Sequence, residues 1–420
     1  MLKLKNIVVG ISGGVDSAVT ALLLKKKGFN VKGVFMQNWD IADEKGVCSA
    51  DQDYKDTSIV CEKLNIPLTH LNFVKEYWNE VFLNLIKEYE TGSTPNPDIL
   101  CNKNLKFNYF YNHAIENLEA DAIATGHYAA NSFGAYLENY DPNQNAKLLL
   151  PRDKIKDQTF FLSQINQNAL RKTMFPLSEL TKPEVKALAV QNGLEIVAKK
   201  KESMGICFIG NRNFQDFISE YIEDKEGNFI DIDTGEIVGK HNGIHHWTLG
   251  QRSRIAGIPK GYFIAQKNVE NNSIYVALGS EHPSLYTQTF CTSKPHWICD
   301  QPKDLETSNV FNCQFRFQHT HETTDCNLFE TDQGLIGRLS KPVKAITEGQ
   351  YAVFYKNNEC LGSGKIVFRG VPNSIRFWLD HNKSIKVYDL FRKCKSKDEF
   401  VKKVNDVLNK NSKNNKYHLR

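Results

Sequence analysis

The sequence predicts an α/β fold with two further domains: a Rossmann-like N-terminal domain with a parallel sheet, a small central domain and a C-terminal β-barrel. Short apolar runs and helical periodicities alternate over the first half of the chain. Glycine punctuates the stretch that follows about Asn211, and strand-like segments dominate after about Pro283. We expect the domains to span 1–205, 206–282 and 283–372, followed by a tail at 373–420.

The parallel sheet is predicted from the first strand–helix–strand unit. Ile7–Ile11 is a short apolar run, and a glycine turn separates it from a helix through Ala18–Lys26 that ends at Gly28. Val31–Met36 is the next strand-like run. Two parallel strands need a crossover connection, which is usually a helix, so this order indicates a βαβ unit.

Further signals extend the α/β pattern to about Lys200. Asp121–Thr125 resembles a buried strand that opens onto Gly126-His127-Tyr128, and Thr181-Lys182-Pro183-Glu184 is typical of a helix capping box. A longer helix that ends at Gly92 is predicted from apolar residues at helical spacing, namely Val74, Tyr77, Trp78, Val81, Phe82, Leu85, Ile86 and Tyr89.

The barrel is predicted from four strand-like segments near the end of the chain. They are Val310–Gln318, Lys341–Ile346, Tyr351–Tyr355 and Cys360–Phe368. Asn357-Asn358 lies between the last two and favours a hairpin turn. We expect a closed or nearly closed barrel that ends near Val371.

Composition excludes some classes of protein and leaves others open. No apolar run approaches the roughly 20 residues that span a bilayer, and the net charge of +5 does not by itself indicate a nucleic-acid partner. The ten cysteines show neither CxxC pairs nor zinc-ligand spacing, so we expect a reducing compartment. The short lead-in before Ile7 favours the cytosol, and Lys383–Arg420 has the composition of a solvated tail.

A phosphate-binding loop is predicted at Gly10-Ile11-Ser12-Gly13-Gly14-Val15-Asp16-Ser17. Its glycines allow close approach of the backbone to a phosphate, and the amides at the start of the next helix bind an anion. Ser12 and Ser17 add hydroxyl donors, and Asp16 can hold a Mg²⁺ ion that bridges phosphates. The segment is neither a Walker A loop nor a GxGxxG loop.

Two cysteines stand out by their local sequences. Thr94–Asn102 carries Asp98 and Cys101 three residues apart, which places them on one face if a helix starts there and lowers the pKa of the thiol. Cys207 lies between glycines in Glu202–Gly210, and the lysines at 199, 200 and 201 before it favour its thiolate. The other eight cysteines are expected to be small core residues.

These segments together carry a family resemblance. SGGVDS resembles the pyrophosphate-loop signature of the ATP pyrophosphatases, which split ATP into AMP and pyrophosphate. Followed by NPDILCN, GHYA, KDQTFFL and SMGICFIG, it makes the chain similar to the tRNA-specific 2-thiouridylase family, called MnmA in bacteria. The resemblance reaches to about Val371, and Asn38–Asp51 looks most like the animal mitochondrial branch. The tail has no counterpart that we can place.

The resemblance implies ATP-dependent 2-thiolation of the wobble uridine of tRNA of the Lys, Glu and Gln type. In that family the base is adenylated, and a cysteine persulfide supplies the sulfur. ATP and Mg²⁺ are the implied cofactors. The implied partners are tRNA and a sulfur-donor protein, either a cysteine desulfurase or a sulfur relay. We expect a monomer that does not associate with a membrane.

The resemblance also assigns residues to roles. Cys101 matches the nucleophile, Cys207 matches the persulfide carrier, and we expect Asp98 to move a proton. The implied ATP contacts are Gly10, Ile11, Ser12, Gly13, Gly14, Val15, Asp16, Ser17, Met36 and Gly126. The implied contacts with the target base are Asn96, Pro97 and Asp98. The implied contacts elsewhere on tRNA are His127, Lys156, Asp157, Gln158, Arg316, Phe317 and Gln350.

Two other functions remain open at this point. An amide-forming ATP pyrophosphatase would use the same phosphate loop, but it would leave both cysteine segments without a role. A tRNA-binding protein without catalysis would need neither the loop nor the thiols. The indications for the compartment also disagree, since the lead-in favours the cytosol and the family branch favours mitochondria. We predict the mitochondrial matrix.

Overall fold

The structure, a computed structural model, describes residues 4–40, 49–200 and 213–371 except 256 and 258, together with 399, 402, 403 and 406. Cys207 with its glycine-flanked segment, and most of the tail, lie outside the described residues. No helix of the described part has the length and apolar character to cross a bilayer.

The N-terminal half is built on a parallel sheet. The strands of this sheet are β1 (Asn6–Gly10), β2 (Asn30–Gln37), β3 (Leu68–Asn72), β4 (Ala122–Ala124) and β7 (Thr173–Met174). The same half also contains β5 (Ala130–Asn131) and β6 (Leu148–Leu149), which pair with each other and extend the sheet of the barrel. The N-terminal sheet has the order β3-β2-β1-β4-β7, and every neighbouring pair in it is parallel. The predicted parallel sheet is therefore confirmed.

Helices surround this sheet. They are α1 (Val15–Lys26), α2 (Ser49–Leu64), α3 (Val74–Tyr77), α4 (Leu83–Glu90), α5 (Pro97–Leu100), α6 (Tyr111–Glu116), α7 (Thr159–Leu162), α8 (Gln167–Arg171), α9 (Lys182–Gln191) and α10 (Glu195–Ala198). Two π-helical segments, Trp78–Phe82 and Cys101–Phe110, join α3 to α4 and α5 to α6. The predicted capping box is present, since Thr181 and Glu184 exchange the expected hydrogen bonds at the start of α9.

The central domain combines one short helix with a four-stranded sheet. Its elements are α11 (Phe214–Ser219), β8 (Gly227–Asp231), β9 (Ile237–His241), β10 (Tyr262–Asn268) and β11 (Ser273–Leu278). The strand order is β10-β11-β8-β9. The helix packs against the N-terminal core, where the ring centroids of Phe217 and Phe82 are 6.0 Å apart.

The C-terminal domain is a closed barrel. Its elements are β12 (Tyr286–Thr292), β13 (His296–Trp297), α12 (Lys303–Ser308), β14 (Phe311–Arg316), β15 (Thr324–Thr331), β16 (Gly334–Lys344), β17 (Tyr351–Lys356) and β18 (Glu359–Phe368). Six strands run in the order β12-β16-β15-β14-β17-β18, and β18 pairs back to β12. Asn357 and Asn358 both have positive φ, 50° and 68°, as the predicted hairpin turn between β17 and β18 requires.

The barrel and the N-terminal domain share a sheet edge. β6 pairs with β18 through Leu148 and Cys360, and both side chains are fully buried. This pairing fixes one wall of the barrel against the α/β domain. The barrel can therefore position groups of the N-terminal domain, including those of the candidate site.

Candidate active site

The phosphate loop is held in shape by its own serines. It connects β1 to α1, and the Ser12 amide donates to Ser17 Oγ at 3.1 Å while that hydroxyl donates to the Gly14 carbonyl at 3.1 Å. Gly13 has φ +69°, and a Cβ there would lie 2.6 Å from the Asp53 carbonyl oxygen. Only glycine fits this turn, as the sequence predicted.

The predicted nucleotide residues come together at the switch point of the sheet. β1 has β2 on one side and β4 on the other, so the loops after β1 and β4 border one crevice. A Cβ on Gly126 would lie 2.7 Å from the Ser17 amide nitrogen, which shows how closely the two loops approach. Met36, near the end of β2, lies with its methyl 3.2 Å from where a Cβ of Gly10 would be.

Asp16 is engaged in a way that the sequence did not predict. Its two carboxylate oxygens accept from Lys182 Nζ at 2.8 and 2.7 Å, and Oδ1 also accepts from the Tyr128 hydroxyl at 3.0 Å. The Lys182 backbone amide donates to Asp153 Oδ2 at 2.8 Å, which anchors the lysine at the start of α9. The Asp16 carboxylate is thus held by a lysine and a tyrosine, and its predicted role as a Mg²⁺ ligand stays a prediction.

A second lysine ties the phosphate loop to α2. Lys200 Nζ lies 2.6 Å from Asp53 Oδ1, 2.7 Å from Asp56 Oδ2 and 3.5 Å from the Gly13 carbonyl. Burial acts to lower the pKa of Lys200, but the two carboxylates outweigh it and raise that pKa. Among the described residues, the Lys200 ammonium group serves the loop; Cys207 lies outside them, so the predicted effect of Lys200 on that thiol stays a prediction.

Cys101 lies in the first turns of a helix, as the spacing of the thiol segment predicted. Asn96 caps this helix, because its side chain accepts from the Ile99 amide at 3.2 Å, and Pro97 occupies the first turn. The helix continues through the π-helical segment that begins at Cys101. Cys101 is buried and is not part of a disulfide.

The protein shifts the pKa values of Asp98 and His127. The Asp98 side chain reaches solvent, yet the protein around its carboxyl raises its pKa by burial, against the opposing charge of Lys106. Burial lowers the pKa of His127 well below its usual value, and Lys106 acts in the same direction. His127 is therefore neutral at physiological pH, with Nδ1 2.9 Å from Thr125 Oγ1. A carboxyl with a raised pKa exchanges a proton more readily near neutral pH.

Gln350 of the barrel clamps the loop that precedes Cys101. Its Oε1 accepts from Asn96 Nδ2 at 3.1 Å, and its Nε2 donates to the carbonyls of Thr94 and Pro95 at 2.8 and 3.1 Å. Gly349 has φ +93°, and a Cβ there would lie 2.8 Å from the Thr94 carbonyl oxygen. Gln350 was predicted to contact tRNA, and its position beside the loop adds a positioning role to that prediction.

Replacing Gln350 should impair turnover by loosening the loop. We expect Gln350→Leu to lower kcat about 10- to 100-fold, because about three hydrogen bonds that fix the loop are lost, with destabilisation of about 1–3 kcal/mol. Steady-state kinetics and thermal unfolding measure the two effects. Gln288→Leu is the matched control, since Gln288 also donates to two barrel carbonyls, those of Leu339 and Ser340. Equal losses of kcat in both variants would contradict the positioning role.

Several predicted tRNA contacts form a buried joint between domains. Arg316 Nη2 lies 2.8 Å from Asp157 Oδ2 and 2.6 Å from the Tyr355 hydroxyl, and the three residues are at most 8% exposed. Burial acts to lower the pKa of Arg316, but Tyr355 and Asp157 outweigh it and raise that pKa. Phe317 is also buried. The structure thus gives Asp157, Arg316 and Phe317 a domain-joining role, and their contact with RNA stays a prediction.

The two neighbours of Asp157 that were also predicted to contact tRNA, Lys156 and Gln158, differ in their exposure and contacts. Lys156 is half-exposed, whereas Gln158 is turned inward and its Oε1 accepts from the Tyr128 amide at 2.9 Å. The Tyr128 hydroxyl donates to Asp16 of the phosphate loop, so Gln158 helps to position a side chain that contacts this loop. Gln158 therefore supports the nucleotide side of the site in this structure.

Comparisons with known proteins match the whole described architecture. Three family models match consecutive parts: the tRNA methyl transferase HUP domain over residues 5–211, the tRNA methyl transferase PRC-barrel domain over 215–278 and the aminomethyltransferase beta-barrel domain over 287–366. The chain is 51% identical to mitochondrial tRNA-specific 2-thiouridylase 1 of Drosophila melanogaster over 366 residues, covering 87% of this chain and 94% of the relative. The chain belongs to the tRNA-specific 2-thiouridylase family.

More distant relatives support the same membership. The chain is 46% identical to mitochondrial tRNA-specific 2-thiouridylase 1 of Homo sapiens, over 88% of this chain and 92% of the relative. It is 43% identical to tRNA-specific 2-thiouridylase MnmA of Mycoplasma capricolum, over 86% of this chain and 98% of the relative. The family resemblance predicted from the motifs is thus confirmed, as is its animal mitochondrial branch.

In this member of the 2-thiouridylase family, three site residues were not predicted from the sequence. Lys182 was interpreted only as part of a capping box, Tyr128 only as a neighbour of His127, and Lys106 not at all. For Lys182 a signal existed, because lysine is uncommon at the start of a helix, where the dipole disfavours positive charge. That placement is compensated by Asp16, which lies 166 residues away in sequence.

Proposed function

We propose that this chain is a tRNA-uridine 2-sulfurtransferase, a transferase of sulfur-containing groups that thiolates the wobble uridine of tRNA with ATP. The observation that carries the proposal is one domain that holds both a phosphate loop at a sheet switch point and a capped helix with Cys101 in its first turns. Its relatives are named 2-thiouridylases. The substrate is the uridine of the Lys, Glu and Gln type of tRNA.

The phosphate loop supplies the ATP half of the reaction. The amides of Gly13 to Ser17 and the N-terminus of α1 bind the phosphates, and Gly126 borders the nucleotide. Asp16, the residue that would hold a Mg²⁺ ion brought by ATP, is paired with Lys182. We assign to Lys182 the positive charge beside the pyrophosphate position.

The sulfur half uses two thiols. Carbon 2 of uridine is poorly reactive until its oxygen carries AMP, which then leaves. The terminal sulfur of a persulfide on Cys207 attacks that carbon and expels AMP. Cys101 thiolate next attacks the Cys207 sulfur, which forms a Cys101–Cys207 disulfide and leaves the second sulfur on the base. In the alternative order, Cys101 attacks the persulfide first and releases sulfide as the nucleophile. In both, a thiol reductant regenerates the enzyme.

The remaining groups act on the base. Asp98 moves a proton, for which its raised pKa suits it, and Asn96 and Pro97 contact the target base beside it. The base leaves the anticodon stack to reach Cys101, since that thiol is buried in the domain. The central domain and barrel bind the RNA mainly through phosphates and shape.

Pyrophosphate release with and without tRNA tests the function. We expect release from ATP to depend on a tRNA that carries the target uridine. Release that needs ammonia and a carboxylic acid instead would favour an amide-forming synthetase. No release under either condition, with tight tRNA binding, would leave a non-catalytic tRNA-binding protein.

The cellular setting follows from the same family. The relatives in the fly, chicken and human are named mitochondrial, so we place the chain in the mitochondrial matrix. A sulfur-donor protein, either a cysteine desulfurase or a sulfur relay, would charge Cys207, and the enzyme would act as a monomer. Imaging of a C-terminally tagged protein checks the compartment: matrix staining is expected, and purely cytosolic staining would reverse the assignment.

A further inference from the structure

A cavity lies where the three domains meet, away from the phosphate loop. Its volume is about 240 Å³. The N-terminal domain contributes Thr91 and Gly92 after α4, the central domain contributes Lys267 on β10, and the barrel contributes Glu348 and Arg369. Since each domain supplies part of its wall, the cavity exists only in the assembled chain.

The cavity is lined by a buried arginine that forms no ion pair with the described residues. Arg369 is 7% exposed, and its side chain makes neither a hydrogen bond nor an ion pair with the described residues. Burial lowers the pKa of Arg369 to about 10, and only Glu348 opposes this. The Glu348 carboxylate accepts the Arg369 backbone amide at 3.4 Å, so it serves the backbone and not the guanidinium.

A second cation faces the same space. Lys267 Nζ donates to the Trp247 carbonyl at 2.9 Å, which leaves its charge without a carboxylate. Burial lowers the pKa of Lys267 to about 8, against the attraction of Glu348. Glu270 lies on the exposed rim. The interior therefore contains two cations and one carboxylate, an excess of positive charge.

Such an arrangement is costly unless an anion completes it. Taking a charged side chain out of water without a partner is costly, and proteins pair such groups. A guanidinium fork matches the oxygens of a phosphate, and Arg with Lys is the usual pair for that ligand. The cavity is large enough for a phosphodiester group.

We propose that this cavity binds a backbone phosphate of the RNA substrate through Arg369 and Lys267. The inference rests on the proposed function, since it takes RNA as the source of the phosphate. The site adjoins the catalytic loop, because the Thr94 amide donates to the Glu348 carbonyl at 2.9 Å and Gln350 holds Asn96. A phosphate bound here places the RNA strand beside the loop that presents Asn96, Pro97 and Asp98 to the target base.

The test compares Arg369→Met with wild type in tRNA binding and thermal unfolding. We expect about tenfold weaker tRNA binding, and a slope of log K against log salt that is smaller by about one. We also expect the Tm of the RNA-free protein to stay unchanged or rise, because an unpaired buried charge is removed. Lys344→Gln is the matched control: Lys344 also sits where barrel and central domain meet, but it is already paired with Glu281 at 3.4 Å. Its slope should not change.

Other outcomes overturn the assignment. A lower Tm with an unchanged salt slope would make Arg369 a structural residue. Stabilisation of wild type, but not of Arg369→Met, by inorganic phosphate or pyrophosphate, with an unchanged slope for tRNA, would make this a small-anion site. Failure of the proposed function is distinguishable, because it would appear as absence of thiolation by wild type whatever Arg369→Met does to tRNA binding.

Discussion

Cys207→Ser and Cys101→Ser should each abolish thiolation, but at different steps. We expect Cys207→Ser to accept no persulfide while it still binds ATP and tRNA. Cys101→Ser should accept the persulfide and fail to complete transfer. Each should lower turnover by at least about 10³-fold, since no other group replaces a missing nucleophile. Mass spectrometry of the protein after charging, followed by single-turnover transfer to tRNA, separates the two steps.

The control for these variants is a cysteine outside the site. Cys61 is buried in the N-terminal core, and burial raises the pKa of its thiol to about 11, so it is poorly reactive. Cys61→Ala should keep thiolation, with some loss of stability. Wild type that is stripped of reductant after one turnover should show a Cys101–Cys207 disulfide, which requires the two Cα atoms to come within about 7 Å. Full activity of either serine variant would show that the replaced cysteine has no role in the reaction and is an ordinary core residue.

Asp16 and Lys182 should be as important for ATP use as the thiols are for sulfur transfer. Lys182→Met removes the charge that we place beside the pyrophosphate, and Asp16→Ala removes the group that positions it. We expect a loss of about 10²–10³-fold in pyrophosphate release from each variant. Asp16→Ala also leaves the largely buried Lys182 without its partner, so we expect it to lower stability by about 1–3 kcal/mol after allowance for the exposure of Asp16.

A double variant separates stability from catalysis at this pair. Asp16→Asn with Lys182→Met removes both charges and should recover most of the lost stability without recovering activity. Arg152→Gln is the control. Arg152 makes an exposed ion pair with Glu184, which lies on the same helix as Lys182, and its replacement should leave turnover unchanged. Normal pyrophosphate release by Lys182→Met would show that its ammonium group is only a structural partner of Asp16.

The sequence predicted those parts of the molecule that depend on neighbours along the chain. The glycine turn at Gly13, the Thr181 capping box and the Asn357-Asn358 hairpin each follow from local backbone chemistry, and the structure confirms all three. The crevice at the phosphate loop was also predictable, because the order of strands and helices determines where the loops after β1 and β4 meet.

Contacts between distant segments were not predictable in this way. Lys182 reaches Asp16 across 166 residues, and Arg316 reaches Asp157 across 159. Nothing near either residue in sequence specifies its partner, because the meeting depends on how helix, sheet and barrel pack. The family resemblance named Asp157 and Arg316 for a tRNA contact and could not show that they also join two domains.

Nucleoside mass spectrometry of tRNA after incubation with the purified protein, ATP and a persulfide donor is the decisive test of thiolation by this chain. We expect 2-thiouridine at the wobble position of tRNA of the Lys, Glu and Gln type, formed only with ATP and only with both Cys101 and Cys207 in place. Unmodified uridine in the presence of every component, or thiolation that proceeds without ATP, would contradict this expectation.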